Sequence, residues 1–381
     1  MKRVPAPDLT RELKFRDPAR ARALADALER TVDAIGRELT VMHVCGSHEQ
    51  AIARFGLRTL LPPGLRLVMG PGCPVCVTDA LQVDEAVALS REGVRLCTYG
   101  DMLRLPGTSR SLADAKAEGA RVEVVYSVPQ AVELAERHPH EEVCFLASGF
   151  ETTAVATAAA ALSAPPKNFS ILSVHKYVPA AMEVVAAARE RRIDGYLAAG
   201  HAAIITGWAI FEPFARRTQS PVAVAGFEPL DILAALLKVT ELVRDRRPEV
   251  ANIYPRCVTR EGNLPAKRAL YRVFLARDGR WRGLGEVPGG NLELVPSFAH
   301  LDARRRFPID TAAVRDRDAE ALAAGCLCGP IMLGLASPSD CPLFGKTCLP
   351  ESPVGACMVS SEGQCRIWHA YGGVPDLKEV G

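Results

Sequence analysis

The chain has 381 residues, which at roughly 100 to 200 residues per domain indicates two or three domains. Its formal net charge is +2 and 48% of its residues are hydrophobic, so the composition argues against disorder and against nucleic-acid binding through bulk charge. The 12 Cys are too dilute for a small secreted disulfide scaffold and too many for core packing alone.

The first residues alternate basic and acidic side chains and contain no apolar core of the kind that a signal peptide needs. The longest stretch without a charged side chain, residues 195–211, is short for a membrane span and carries Gly200, His201 and Gly207. We therefore expect a cytoplasmic protein that does not enter a membrane. In that compartment clustered cysteines usually bind metal or take part in redox reactions.

The first predicted element is an amphipathic helix. Asp17 followed by Pro18 is typical of a helix start, and apolar residues then recur at helical spacing up to Gly36. From there to about Asp245, short apolar runs alternate with helical stretches, a pattern that predicts βαβ units and parallel sheets. The fold class is therefore α/β. The candidate strands are residues 39–45, 65–69, 94–99, 122–127, 142–147, 169–174, 195–199 and 221–225.

These strands fit two similar parallel-sheet α/β domains of four strands each, covering residues 37–137 and 138–247. After Pro248 the sequence becomes rich in Gly, Pro and Cys, with only short strand-like pieces such as ALYRVFLA. We expect residues 1–36 and 248–381 to form a third, irregular and Cys-rich domain that is not built around a large apolar core.

Six cysteines lie close together near the C-terminus, in turns that let a chain wrap around a small inorganic centre. Four thiolates suit either a zinc ion or an iron-sulfur cluster. The paired CxxC knuckles of a zinc ribbon are missing, which favours the cluster; inert buried thiols are the other alternative. The six are Cys326, Cys328, Cys341, Cys348, Cys357 and Cys365. Because such a centre takes four thiolates, at least two of the six must have another role.

Cys73 and Cys76 form a CxxC motif between a strand and a helix-like stretch over residues 79–92. The positive end of a helix dipole lowers a thiol pKa and favours a reversible disulfide. The motif therefore predicts a dithiol switch. Half a zinc knuckle, or an unreactive pair in a turn, is the alternative.

Cys45 ends the first strand, and His48 follows three residues later. Sites in open α/β sheets form at the carboxyl ends of strands, and a Cys–His pair can hold a metal or activate a nucleophile. Such a pair by itself is as often a coincidence as a functional site. Because Cys73 and Cys76 follow the next strand, we expect the three thiols to meet at one sheet edge.

Other polar loops carry weaker signals. Glu151 follows a strand and opens a helix, where capping by Thr152 and Thr153 is the simpler interpretation. His201 follows the strand at residues 195–199, where a structural His is the default. No phosphate-binding loop follows any strand. The three remaining cysteines lie in or beside apolar runs and are expected to be core thiols: Cys97, Cys144 and Cys257.

Unusual motifs cover nearly the whole chain after about residue 36. They read CGSHE with IARFGLRTLLP, GPGCPVCVT, YGDM, GFETT, VHKYVP, GFEPLDIL, WRGLGEVP, CPLFGKTC and PVGACMVSSEGQC. In these motifs the chain resembles HypD-type proteins, which help to assemble the iron centre of [NiFe]-hydrogenases with its cyanide and carbon monoxide ligands. The resemblance implies two α/β domains plus a domain holding a 4Fe-4S cluster.

The resemblance also implies residue roles. Cys45 would hold the iron atom being assembled, shared with a Cys of a small HypC-type chaperone, and His48 would lie beside that iron. Cys73 and Cys76 would relay electrons between the cluster and the iron. The family's cluster pattern falls on four cysteines: Cys326, Cys341, Cys348 and Cys365. It leaves Cys328 and Cys357 without a ligand role, although Cys328 is an alternative to Cys326.

Two positions receive no role from the resemblance. The loop AAGHAAIITG differs from the family's PGHV at His201, and Glu49 stands where the family varies.

The resulting hypothesis is a scaffold and redox partner for assembling the Fe(CN)2CO moiety, rather than a stand-alone enzyme. A HypE-type partner would deliver cyanide as a thiocyanate, whose C–S bond needs two electrons to break; a dithiol supplies two and a cluster supplies one at a time. The resemblance implies a monomer within hetero-complexes. The alternatives are a general thiol-disulfide oxidoreductase or iron-sulfur electron carrier, and a zinc-stabilised binding protein.

Overall fold

The computed structural model describes residues 15–188, 192–310 and 324–373. Within these ranges two parallel sheets with surrounding helices form an α/β core, and a Cys-rich segment near the C-terminus packs against it. The predicted fold class is therefore confirmed. Parts of the predicted third domain, residues 1–14, 311–323 and 374–381, lie outside the described residues.

All eight strands expected from the apolar runs are present. Four of them, β5 to β8, are buried at every position, as parallel strands covered on both faces require, whereas β2 and β4 each expose one residue. Three further strands follow. The strands are β1 (Leu39–His43), β2 (Leu65–Met69), β3 (Arg95–Thr98), β4 (Val122–Val124), β5 (Val143–Ala147), β6 (Phe169–Ser173), β7 (Gly195–Ala199), β8 (Val222–Ala225), β9 (Val250–Asn252), β10 (Phe274–Trp281) and β11 (Gly285–Leu294).

Each parallel sheet takes strands from both halves of the α/β region. The five-stranded sheet has the order β2-β1-β7-β8-β9 and the four-stranded sheet the order β4-β3-β5-β6, while β10 and β11 form an antiparallel hairpin. The strands are thus not grouped into two consecutive sets of four. Local sequence pattern reports that a strand exists but not which distant strand it pairs with. The domain boundaries at residues 37–137 and 138–247 stay predictions.

Helix α1 (Pro18–Ile35) begins where the sequence predicts, because the Asp17 side chain accepts hydrogen bonds from the first free backbone N–H groups. It ends at Gly36, whose φ of 71° is left-handed. Its buried face packs with helix α11 (Pro229–Arg244) on the five-stranded sheet. The helix therefore lies with this sheet, whereas the sequence grouped residues 1–36 with the C-terminal part.

The other helices lie between strands or in the Cys-rich segment. None in the described ranges combines the length and the apolar character needed to span a bilayer. They are α2 (Gly46–Arg54), α3 (Ala80–Arg91), α4 (Gly100–Leu103), α5 (Leu112–Ala117), α6 (Val128–Arg137), α7 (Glu151–Leu162), α8 (Val178–Ala187), α9 (Gly200–Thr206), α10 (Glu212–Thr218), α12 (Leu264–Val273), α13 (Ala303–Arg306), α14 (Cys328–Met332), α15 (Ala356–Val359) and α16 (Gln364–Tyr371).

Candidate iron-binding and redox site

The loops after β1 and β2 are in direct backbone contact at the carboxyl edge of the five-stranded sheet. The N–H of Gly46 donates to the carbonyl of Gly72 at 3.0 Å. A Cβ on Gly72 would lie 2.1 Å from the backbone nitrogen of Cys45, so only glycine permits this approach. The structure therefore brings the Cys45 loop and the CxxC loop together.

Cys45 is a buried free thiol at the start of α2. Burial, reinforced by the nearby Glu362 carboxylate, raises the pKa of Cys45 to about 12. The thiol therefore keeps its proton near neutral pH unless a metal ion displaces it.

His48 lies in the same buried region with one ring nitrogen free. Its Nε2 faces the carbonyl oxygen of Gly226 at 3.0 Å, so that nitrogen carries the hydrogen. Burial lowers the pKa of His48 to about 3, which keeps the ring neutral. Its Nδ1 is buried and has no hydrogen-bond partner in the described part of the chain. His48 thus presents a lone pair suited to a metal or a hydrogen-bond donor.

The sequence missed two acidic residues in this region: Glu362 lies near Cys45, and Asp101 lies near Glu362. Ser47 donates through Oγ to Glu362 at 3.2 Å, and Ser360 donates to Asp101 at 3.0 Å. Burial raises the pKa of Glu362, so this carboxyl group holds a proton more readily than an exposed one. The two acids come from the SSEG and YGDM motifs, which are far apart in sequence and meet only in the fold.

Glu49, to which the sequence assigned no role, is fully buried at the centre of an ionic network. Its carboxylate accepts hydrogen bonds from His43 and Arg58, both at 2.8 Å, and from the indole of Trp368. Burial opposes its ionisation, but Arg58 and His43 outweigh burial and hold the pKa of Glu49 well below its usual range. The network joins α2, which follows Cys45, to α16, which carries Cys365.

Cys73 and Cys76 form a disulfide. Both are buried, and the N–H of Cys76 donates to the sulfur of Cys73 at 3.2 Å. The next helix begins at Ala80 with Asp79 as its cap, close to the predicted start. A reversible disulfide remains a prediction.

The β10–β11 hairpin holds the other side of the CxxC turn. The Arg282 guanidinium donates to the carbonyl of Thr78 at 2.8 Å, and its backbone N–H donates to Val77 at 3.0 Å. Fully buried Lys176 anchors the hairpin by donating 2.9 Å hydrogen bonds to Gln82, the carbonyl of Arg280 and Asn291.

The C-terminal thiols form one group. The Cys328 sulfur interacts with those of Cys326, Cys357 and Cys365. Hydrogen bonds from Cys328 and Cys357 lower the pKa of Cys365 to about 6, while the pKa of Cys357 is raised. Cys365 therefore ionises readily while Cys357 keeps its proton.

Gly355 lets two sulfurs approach the backbone: a Cβ there would lie 2.4 Å from Cys328 Sγ and 2.7 Å from Cys326 Sγ. Cys341 and Cys348 are buried in the same hydrophobic cluster as Cys365. In the described ranges no three His, Cys, Asp or Glu side chains yet converge as ligands of one ion. The donor set, soft thiols within one buried hydrophobic cluster, is of the chemical kind that holds an iron-sulfur cluster.

The remaining predictions for single residues have mixed outcomes. Cys97 and Cys144 are buried as expected, but Cys257 is exposed, so its prediction as a core thiol is wrong. It lies beyond the short strand β9, in a loop that follows the apolar run. His201 stacks on Phe227, which also contacts His48. This contact is consistent with a structural His.

The capping prediction at the GFETT loop is also wrong. Helix α7 begins at Glu151, so Thr152 and Thr153 lie inside it, and no side chain caps its N-terminus. Instead, Glu151 accepts a hydrogen bond from the N–H of Val178 at 3.0 Å. Its other oxygen is buried and has no partner in the part of the chain described.

Comparison with known proteins agrees with these observations. A family model described as "HypD: Hydrogenase formation hypA family" matches residues 19–372. Hydrogenase maturation factor HypD of Azotobacter vinelandii is 44% identical over 370 residues, covering 94% of this chain and 96% of that protein. The Rhizobium leguminosarum factor is 42% identical over 375 residues, with 94% and 96% covered. The Rhodobacter capsulatus factor is 39% identical over 369 residues, with 94% and 97% covered. The chain therefore belongs to the HypD family of hydrogenase maturation factors.

Proposed function

We propose that this maturation factor is the scaffold and redox partner on which the Fe(CN)2CO moiety of a [NiFe]-hydrogenase is assembled. The observation that carries the proposal is the meeting of three sulfur groups in one region. Cys45 contacts the loop of the Cys73–Cys76 disulfide, and a small cavity joins that disulfide to the C-terminal thiols.

Cys45 is the residue that holds the iron cargo. A soft thiolate suits low-spin iron with strong-field diatomic ligands. Because the thiol is buried and protonated, it binds iron only by giving up its proton, and Glu362 is an acid group near enough to influence that proton. The free Nδ1 of His48 is available to the cargo or to its ligands.

Four of the C-terminal thiols would hold a 4Fe-4S cluster: Cys326, Cys341, Cys348 and Cys365. Cys328 lies among them and stays an alternative to Cys326. When bound, such a cluster supplies electrons one at a time.

The dithiol delivers two electrons. Reduction breaks the Cys73–Cys76 bond and adds two electrons and two protons, giving two thiols. Re-forming the disulfide returns both electrons, the number that cleavage of a C–S bond in a bound thiocyanate requires. Cyanide would come from a HypE-type partner, and a HypC-type chaperone would share the iron with Cys45. These encounters would take place in the cytoplasm, with this chain as a monomer within hetero-complexes.

Burial weighs against a general thiol-disulfide oxidoreductase. Cys73 is 2% and Cys76 1% exposed, so an extended protein substrate has no direct approach to either sulfur. An enzyme acting on diverse proteins needs a partly exposed, reactive thiol.

The test replaces Cys45 with Ala in cells that make a [NiFe]-hydrogenase. We expect loss of hydrogenase maturation, while the anaerobically purified variant stays brown with about four irons and four sulfides per chain. Infrared bands of iron-bound cyanide and carbon monoxide should appear with unchanged protein bound to its small partner and vanish with the variant.

Cys144→Ala, which removes another buried thiol, is the matched control and should support maturation. Full maturation by Cys45→Ala would overturn iron binding at Cys45. A colourless protein containing one zinc would overturn both the cluster and the redox role.

A further inference from the structure

A buried histidine that the proposed function does not use lies against the backbone of Cys45. His43 is the last residue of β1, and its side chain is fully buried. Its Nδ1 lies 3.1 Å from the carbonyl oxygen of Cys45. Because a carbonyl oxygen only accepts hydrogen bonds, Nδ1 carries a hydrogen and donates it. His43 therefore holds the main chain of the residue that binds the iron cargo.

The other ring nitrogen of His43 is held by Glu49. Nε2 donates to the Glu49 carboxylate at 2.8 Å, and Arg58 donates to the same carboxylate oxygen, also at 2.8 Å. A ring that donates from both nitrogens loses both bonds when it rotates, so its orientation is fixed. This is the arrangement in which a carboxylate orients a histidine, and the histidine in turn orients a third group.

Three hydrogen bonds fix the main chain at Cys45. Its carbonyl accepts one from His43 and a second, at 3.2 Å, from the N–H of Glu49 in the first turn of α2. The N–H of the next residue, Gly46, donates to the carbonyl of Gly72 at 3.0 Å. Of these three bonds, only the one from His43 comes from a side chain. The direction in which the Cys45 sulfur leaves the main chain is thus set in part by His43.

His43 also packs against the second polar group of the site. The rings of His43 and His48 meet edge to face, with their centroids 6.1 Å apart. His48 is the residue whose buried Nδ1 has no hydrogen-bond partner within the described ranges. Both nitrogens of His43, in contrast, are engaged, so His43 is not itself a metal ligand. It supports Cys45 and His48 together from behind.

We propose that His43 is a positioning residue for the iron cargo: its hydrogen bond to the Cys45 carbonyl directs the Cys45 sulfur toward the iron, and Glu49 orients His43. This inference rests on the proposed function, in which Cys45 binds that iron. Removing a group that orients a metal ligand typically lowers metal affinity or activity about 10- to 100-fold. A histidine that only fills the core would instead act through stability alone.

Two conservative substitutions separate the two hydrogen bonds of His43. The amide nitrogen of Asn takes the place of Nδ1, so His43→Asn keeps a donor for the Cys45 carbonyl and loses the contact with Glu49. Gln is longer and places its amide nitrogen near the position of Nε2. His43→Gln therefore keeps the contact with Glu49 and loses the donor for Cys45.

Both variants are made in the full-length protein and compared in urea unfolding, in the infrared intensity of iron-bound cyanide and carbon monoxide on the complex with the small partner, and in hydrogenase maturation. We expect His43→Gln to be the more stable variant, because it keeps a buried partner for Glu49. We expect His43→Asn to give at least about tenfold more infrared intensity per chain and more maturation than His43→Gln. A residue that acts through stability alone would give the same order in all three measurements.

His43→Gln decides the question even where His43→Asn does not fold. Folded His43→Gln protein with infrared bands as strong as those of unchanged protein would overturn the positioning role. An order of the two variants that follows their stability would overturn it as well. Cys45→Ala, measured alongside, tests the proposed function separately: bands that persist in that variant would overturn iron binding at Cys45 and the role of His43 with it. Bands that vanish there leave iron binding standing, whichever way the His43 variants behave.

Discussion

Replacing Glu49 with Gln should markedly destabilise the protein, because Glu49 compensates buried positive charge. It accepts hydrogen bonds from His43 and Arg58 at 2.8 Å and from Trp368, and its side chain is fully buried. Removing one partner of a buried ion pair typically costs about 3–5 kcal/mol, because the other charge stays buried without compensation. Gln keeps one acceptor oxygen, so we expect a loss near the lower end, about 3 kcal/mol.

The assay is urea unfolding of the reduced protein at pH 7, followed by tryptophan fluorescence. Trp368 stacks with Arg58 in this network, so its share of the emission reports the detachment of α16, while Trp208 and Trp281 contribute the rest of the signal. Glu29→Gln is the matched control, since Glu29 is an exposed acid of α1; it should change the free energy of unfolding by less than about 0.5 kcal/mol.

The pH dependence gives a second check on Glu49. Its pKa is lower in the folded protein than in the unfolded chain, so its contribution is present above the unfolded pKa of about 4.3. That contribution disappears as the pH falls through the lower folded pKa. The difference in stability between the unchanged protein and Glu49→Gln should therefore shrink on acidification. A Glu49→Gln protein that unfolds like Glu29→Gln at pH 7 would refute the reasoning.

Three further substitutions follow from packing and burial. Gly72→Ala should lower the free energy of unfolding in urea by about 1–3 kcal/mol and impair maturation, because its Cβ would meet the Cys45 backbone. Gly100→Ala is the control, since its Cβ would lie 3.7 Å from Val124 and should be tolerated. Equal losses of stability in the two variants would contradict a steric conflict at Gly72. Burial lowers the pKa of Lys176 to about 7, so its contribution to the free energy of unfolding rises between pH 7 and pH 10. Lys176→Met should lack that rise. Parallel pH profiles of stability for the variant and the unchanged protein would contradict a lowered pKa at Lys176. Burial raises the pKa of Glu151 to about 7, so its contribution is greatest below the unfolded pKa of about 4.3 and declines as the pH rises toward 7. Glu151→Gln should unfold like unchanged protein at pH 4 and be about 1–3 kcal/mol more stable at pH 8; equal stability at pH 8 would contradict a buried unpaired carboxylate.

The sequence identified strands well because a parallel strand buried on both faces leaves a continuous apolar run, as in Val143–Ala147. It did not identify the sheets, since β1 pairs with β7 across more than a hundred intervening residues and the pairing leaves no local pattern. The same limit explains Cys257, which follows an apolar run but lies where the chain has already returned to the surface.

The sulfur groups could be recognised from sequence because thiols are rare and their chemistry is specific, whereas the acids around them could not. Glu49 and Glu362 are ordinary charged residues until the fold buries Glu49 and sets Glu362 near Cys45, and Asp101 joins them only through its contacts with Ser360 and Glu362. Glu49 is the clearest case, since its partners His43 and Trp368 belong to segments at opposite ends of the described chain. Through these partners the same carboxylate ties α2, which follows Cys45, to α16, which carries Cys365. The spacing between the proposed iron ligand and the thiol group thus depends on an acid whose charge the fold itself maintains, so a change at Glu49 should alter both sulfur sites together.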